Sequence, residues 1–172
     1  SICPDDAGTA LPRNGSAWAW FGGIASAETS TLSQSVVIPP GSPRHLNFFL
    51  RRGFISPPLD AVLRVKVDGT TVRTFDEPAS AESTYVARSV DLSSFANGAS
   101  HAIQFEYVNP TSSGKSNFVV DDLTIDCSAN GSWDLGGIGH QSGFGEAEPH
   151  RRTAMHRILL ALGLTTLVMP TD

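Results

Sequence analysis

Apolar and polar residues alternate in short runs along most of this chain. In TLSQSVVIP (31–39), Leu32, Gln34, Val36 and Ile38 share one face, and Thr31, Ser33, Ser35 and Val37 share the other. A period of two is the mark of a strand with one face buried. HLNFFLRRG (45–53) places Leu46, Phe48 and Leu50 on one side. AVLRVKVDG (61–69) sets Val62 or Leu63, Val65 and Val67 against Arg64, Lys66 and Asp68. HAIQFEYVN (101–109) sets Ile103, Phe105 and Tyr107 against Ala102, Gln104, Glu106 and Val108. AWAWF (17–21), TTVRTF (70–75), STYVARSVDL (83–92) and NFVVDDLTIDC (117–127) complete the series. Between them stand Gly22-Gly23, Pro39-Pro40-Gly41, Pro57-Pro58 and Asn97-Gly98, all turn signals, and Asp68-Gly69, which predicts a tight hairpin. About eight short strands separated by such turns predict an all-β protein, an antiparallel β-sandwich of the jelly-roll kind.

NFVVDDLTIDC departs from the alternation. Asp121 and Asp122 are neighbours inside an otherwise apolar strand. Neighbouring strand side chains point to opposite faces, so one carboxylate is expected inward. An inward carboxylate must be paired, hydrogen-bonded or bound to a metal. The reading from strand context puts Asp122 inward and Asp121 outward.

The pattern ends at Cys127. Gly131, Gly136, Gly137, Gly139, Gly143 and Gly145 follow with little strand character, and the chain closes on RRTAMHRILLALGLTTLVMPTD. The expected organisation is a sandwich domain over 1–127 and a Gly-rich linker with an apolar C-terminal arm over 128–172. The apolar run from Ile158 to Met169 is too short for a membrane span. It suits docking on the domain's own core or on another subunit.

With 172 residues the chain can bury one real core, and a net charge of −5 excludes a basic nucleic-acid footprint. Its two cysteines, Cys3 and Cys127, stand near the two ends of the strand-rich region. In an extracellular protein such a pair reads as one disulfide, for which the chain-entropy account gives about 4–5 kcal/mol; two free buried thiols are the alternative. The start at Ser1 reads as one that follows a cleavage site, and with the cysteine pair it predicts an extracellular or cell-surface location.

Several segments together carry a resemblance. They are AWAWFGG (17–23), STLSQSVVIP (30–39), LNFFLRR (46–52), LRVKVDGTTV (63–72), VDLSSFANG (90–98), HAIQFEYVNP (101–110) and NFVVDDLTID (117–126). From Ser16 to Asp126 the chain resembles the jelly-roll domains of bacterial extracellular proteins, both MAM-like and carbohydrate-binding-module-like. Two cysteines are fewer than an animal MAM domain carries, so MAM function is not transferred. The resemblance implies a structural calcium ion near the ends of the outer strands, with Asp122, Glu28, Asp121 and Asp60 as candidate ligands. Calcium takes six to eight oxygens, and GGIASAE (22–28) offers both carboxylate and carbonyl oxygens. Backbone amides of a neighbouring loop satisfy Asp122 equally well without a metal.

Nothing in the chain outlines a reaction. His45, His101, His140, His150 and His156 form no zinc-binding spacing, and GHQSG (139–143) is not a nucleophile elbow. Asp121 with Glu106 is a formal carboxylate pair on a sandwich surface, where carboxylates are ordinarily solvated. Asn14-Gly-Ser and Asn130-Gly-Ser fit the glycosylation sequon, which matters only in a glycosylating host. The chain therefore reads as noncatalytic. Two functions fit: a structural or adhesive subunit that assembles with copies of itself or other surface proteins through its arm, or a carbohydrate-binding module. For the second, Trp18, Trp20, Tyr107 and Tyr85 are the candidate glycan-stacking residues, although Trp18 and Trp20 share a strand face and fit a core equally well.

Overall fold

The computed structural model describes residues 11–111, 114–128 and 156–157. Nine strands occur among them: β1 Ala19–Gly22, β2 Glu28–Val37, β3 His45–Phe54, β4 Val62–Val67, β5 Thr70–Asp76, β6 Val86–Asp91, β7 Ser100–Asn109, β8 Asn117–Asp126 and β9 His156–Arg157. Two sheets form from them, in the orders β1-β8-β3-β6 and β2-β7-β4-β5, with β9 paired to β8. Every pairing is antiparallel. Apart from the β4-β5 hairpin and the β8-β9 pair, successive strands pass back and forth between the sheets, in keeping with the jelly roll expected from the strand count.

The core lies where the alternating faces meet. Leu63, Val65 and Val67 on β4 are fully buried. This makes Leu63 rather than Val62 the first core-facing residue of that strand. Phe48 packs edge-on against Phe105 and Phe75, with ring centroids 5.1 and 5.7 Å apart. That geometry suits aromatic quadrupoles better than face-to-face contact. Asp68 and Gly69 have φ of 50° and 81°. Both values lie in the left-handed region that a two-residue hairpin between Val67 and Thr70 requires. Asp68 is held there because its Oδ1 accepts the Ala102 amide at 2.8 Å and its Oδ2 meets His101 Nδ1 at 2.6 Å.

β8 contains the one feature that periodicity misplaces. Its pairing with β3 slips between Asn47 and Phe49, which stand opposite Thr124 and Asp121. One extra residue therefore sits in β8, and Asp122 adopts φ of 52°. This is a β-bulge, and it resets the alternation. Phe118 and Val120 face the core before it, and Leu123 and Ile125 after it. Asp121 lies on the outer face, as expected, yet it is only 3 % exposed because Arg13 and Asn14 cover it, whereas Asp122, expected inward, sits on the bulge with its side chain 19 % exposed.

The ends of the domain are described only in part. Cys127 is exposed with a free thiol, and Cys3, its expected disulfide partner, lies outside the described residues. Of the arm, only His156–Arg157 is described, and it pairs with Ile125 and Thr124 of its own β8. The edge of β8 is open there because β1 reaches only from Asn117 to Val120. No helix among the described residues is long and apolar enough to cross a membrane.

Candidate functional site

The outer face of the β1-β8-β3-β6 sheet gathers three of the four aromatic candidates. Register places them. Trp20 stands opposite Val119, and Val119 opposite Arg51. Leu50 stands opposite Val86, so the preceding Tyr85 falls opposite Arg51. Trp20, Val119, Arg51 and Tyr85 therefore form one row across the sheet. Trp18, Asp121 and Phe49 form the next row by the same registers. Trp18 and Val119 are buried, at 2 % and 0 % exposure, and Trp20 and Tyr85 pack against them half-buried. This is a second apolar cluster, separated from the main core by the sheet itself.

The segment ahead of β1 crosses this face. Tyr85 Oη donates to the Leu11 carbonyl at 3.1 Å. The Arg13 guanidinium lies 3.5 Å from the Phe49 ring centroid, within cation–π range. Arg13 and Asn14 turn their backbone amides onto Asp121 Oδ2 at 2.8 and 3.4 Å, and the Asp122 amide reaches Asp121 Oδ1 at 2.8 Å. Arg13 Nη1 meets Asp122 Oδ2 at 2.6 Å. Burial pushes the Asp121 carboxyl up, and the amides of Asp122 and Arg13 partly offset it. Burial, with the charges of Asp121 and Asp122 adding to it and Arg51 opposing, holds the Tyr85 phenol at about 12. Tyr85 therefore remains a hydrogen-bond donor at any neutral pH.

Arg51 occupies the middle of the aromatic row. Its Nε donates to the Glu82 carbonyl at 3.2 Å. The Glu82 carboxylate turns the other way, toward the flank where the two sheets meet. There it takes Arg52 Nη2 at 2.5 Å, Arg88 Nη2 at 2.8 Å and the Arg52 amide at 2.9 Å. Arg52 Nη1 continues to the Asp76 carbonyl of β5 at 2.7 Å, tying one sheet to the other. Burial raises the Glu82 carboxyl, but the hydrogen bonds and charge of Arg52, with the charge of Arg88, bring it below its ordinary 4.5.

The remaining candidates lie elsewhere. Tyr107 belongs to the main core at 0 % exposure, with its hydroxyl on the Ser116 carbonyl at 3.3 Å. Burial raises its phenol to about 12, and Glu28, Glu77 and Asp60 add to the rise. Those acids mark the loop end of the sandwich. Glu77 accepts the amides of Ser56 and Ala61 at 3.0 and 3.3 Å, and Asp60 accepts the Thr111 hydroxyl at 3.4 Å. The four expected calcium ligands thus divide between two places, Asp121 and Asp122 at one and Glu28 and Asp60 at the other. At the first, three amides and a guanidinium occupy the carboxylate oxygens, which does not fit a cation. Among the described residues no group of three or more His, Cys, Asp or Glu side chains is arranged to hold a metal ion.

Sequence reading named the aromatics but missed Arg13, Arg51 and Glu82. No period or motif marks them. They matter because register and a crossing segment bring residues far apart in the chain to one face.

No protein-family model matches the chain. No curated protein matches it either. Among solved structures it is similar to TmCBM61 in complex with β-1,4-galactotriose, at 13 % identity and a TM-score of 0.47, covering 69 % of this chain and 75 % of that one. It is also similar to the C-terminal domain of EclA, a sugar-binding protein, at 14 % identity and a TM-score of 0.43, covering 73 % of this chain and 89 % of that one. Likeness at this level transfers neither residues nor ligands.

Proposed function

We propose that this chain is a noncatalytic glycan-binding module that works outside the cell or at its surface. The observation that supports this reading is the convergence of Trp20 and Tyr85 on one sheet face, over a floor of Trp18 and Val119. Aromatic rings offer an apolar body to the C–H faces of sugars, while the Tyr hydroxyl and nearby charged groups orient the hydroxyls. The carboxylates at this face serve structure. Asp121 accepts amides, Asp122 pairs with Arg13, and Glu82 binds two arginines on the flank. A glycosidase acid–base pair needs two carboxyls free to handle protons.

The assembly reading drew on the arm, and the part of the arm described here pairs with its own domain. Affinity electrophoresis against a panel of soluble polysaccharides tests the proposal. The expected result is retardation of the wild type by at least one polysaccharide. The double variant Trp20→Ala/Tyr85→Ala then loses it, and Tyr107→Phe does not. A wild type that no polysaccharide retards, or a double variant that retains full retardation with its fold intact, refutes the reading.

A further inference from the structure

We infer that the glycan this face selects is acidic, and that Arg51 is the residue that receives its carboxylate. The inference rests on the glycan-binding reading and deepens it. Arg51 is half-buried in the row between Trp20 and Tyr85. Its Nε is committed to the Glu82 carbonyl at 3.2 Å, which fixes the guanidinium plane. Among the described residues, neither Nη1 nor Nη2 of Arg51 has an acceptor. The guanidinium fork is therefore pre-positioned with two parallel donors unused, the geometry that matches a carboxylate bidentately.

The neighbouring acids do not neutralise it. Asp122 pairs with Arg13, and Asp121 is enclosed by the amides of Arg13, Asn14 and Asp122. The Glu82 carboxylate is directed to Arg52 and Arg88. Arginines outnumber acids at this corner by four to three, on a chain whose net charge is −5. The local balance thus runs against the global one. A uronic acid residue would seat its ring against the flanking aromatics and its carboxylate on the Arg51 fork. Desolvation by Trp18, Val119 and the aromatic rings strengthens such a charge-assisted pair.

Affinity electrophoresis and calorimetry with polygalacturonate, fully methyl-esterified polygalacturonate and a neutral galactan test this. Esterification removes the charge and leaves the backbone. The wild type is expected to bind the acidic polymer about tenfold more tightly than the ester, with the difference shrinking as salt rises. Arg51→Gln is expected to erase that preference, and Arg51→Lys to keep part of it, with thermal melting confirming that both variants fold. Equal binding of acid and ester by the wild type overturns the inference and leaves glycan binding standing, as does an Arg51→Gln variant that keeps the preference. Binding of none of the three overturns the inference, and the broader panel then decides the glycan-binding reading separately.

Discussion

The two outer faces of this sandwich are built on different rules. On the β2-β7-β4-β5 sheet the outer face is polar and wet. Thr29, Thr31, Ser33 and Ser35 line the exposed side of β2, and Glu106 in β7 is held by Lys66 Nζ at 2.6 Å and Arg64 Nη1 at 3.1 Å. On the β1-β8-β3-β6 sheet the outer face is itself largely buried. Every residue of β8 from Asn117 to Asp121 is buried, whichever side it faces. A strand covered on both sides needs no alternation, which is why Phe118, Val119 and Val120 of β8 and Phe48, Phe49 and Leu50 of β3 are consecutive apolar residues while β7 alternates.

Trp18→Ala breaks the comparison most directly. It empties a buried position on the outer face, and we expect a loss of about 3 kcal/mol, as for a core aromatic. Urea unfolding measures this, and a loss within the range of an ordinary surface change shows that the second cluster carries no stability.

Acid titration separates the faces at the next level. Glu82 and Glu106 both sit below their ordinary 4.5. For Glu106 the Lys66 hydrogen bond lowers it, burial opposes, and the Arg64 hydrogen bond then lowers it further. Carboxyls depressed in the folded state stabilise it above their unfolded value, and that contribution disappears as pH falls below about 4.5 through the folded values. Asp121 runs the other way. Its raised carboxyl favours the fold in acid, and the contribution is lost as pH rises from 3.8 through the folded value. Glu82→Gln is expected to flatten the acid slope of the urea midpoint, and Asp121→Asn to steepen it. Identical slopes in all three proteins contradict this account.

Glu106→Gln is the smallest of these changes. Its pairs lie on a partly exposed sheet face, so about 0.5 kcal/mol is expected, detectable as a small shift of the urea midpoint. A loss as large as that of Trp18→Ala abolishes the distinction between the faces.

Most of the fold was legible in the chain because a strand declares its buried face through nearest neighbours. TLSQSVV, LRVKV and HAIQFEYVN each show their inner residues directly, and Asp68-Gly69 declares its own turn. The site was legible only in its residue types. Trp18, Trp20, Tyr85 and Tyr107 are candidates on chemistry, and Tyr107, on the face that HAIQFEYVN gives to Ile103 and Phe105, is buried in the main core. The two acids of VVDDL show the limit most clearly. Local alternation sends Asp122 inward, but a bulge against β3 takes it out of the alternation, and Asp121 is enclosed on the outer face by Arg13 and Asn14, which are distant in the chain.

The sequence alone determined which segments become strands, where they turn and that the sandwich is antiparallel, because these depend on interactions a few residues long. The tertiary structure alone decided which aromatics share a face, which carboxylate is enclosed and which arginine is left with donors to offer. Those outcomes depend on register between distant strands, and register is set by the sum of all cross-strand contacts rather than by any local stretch.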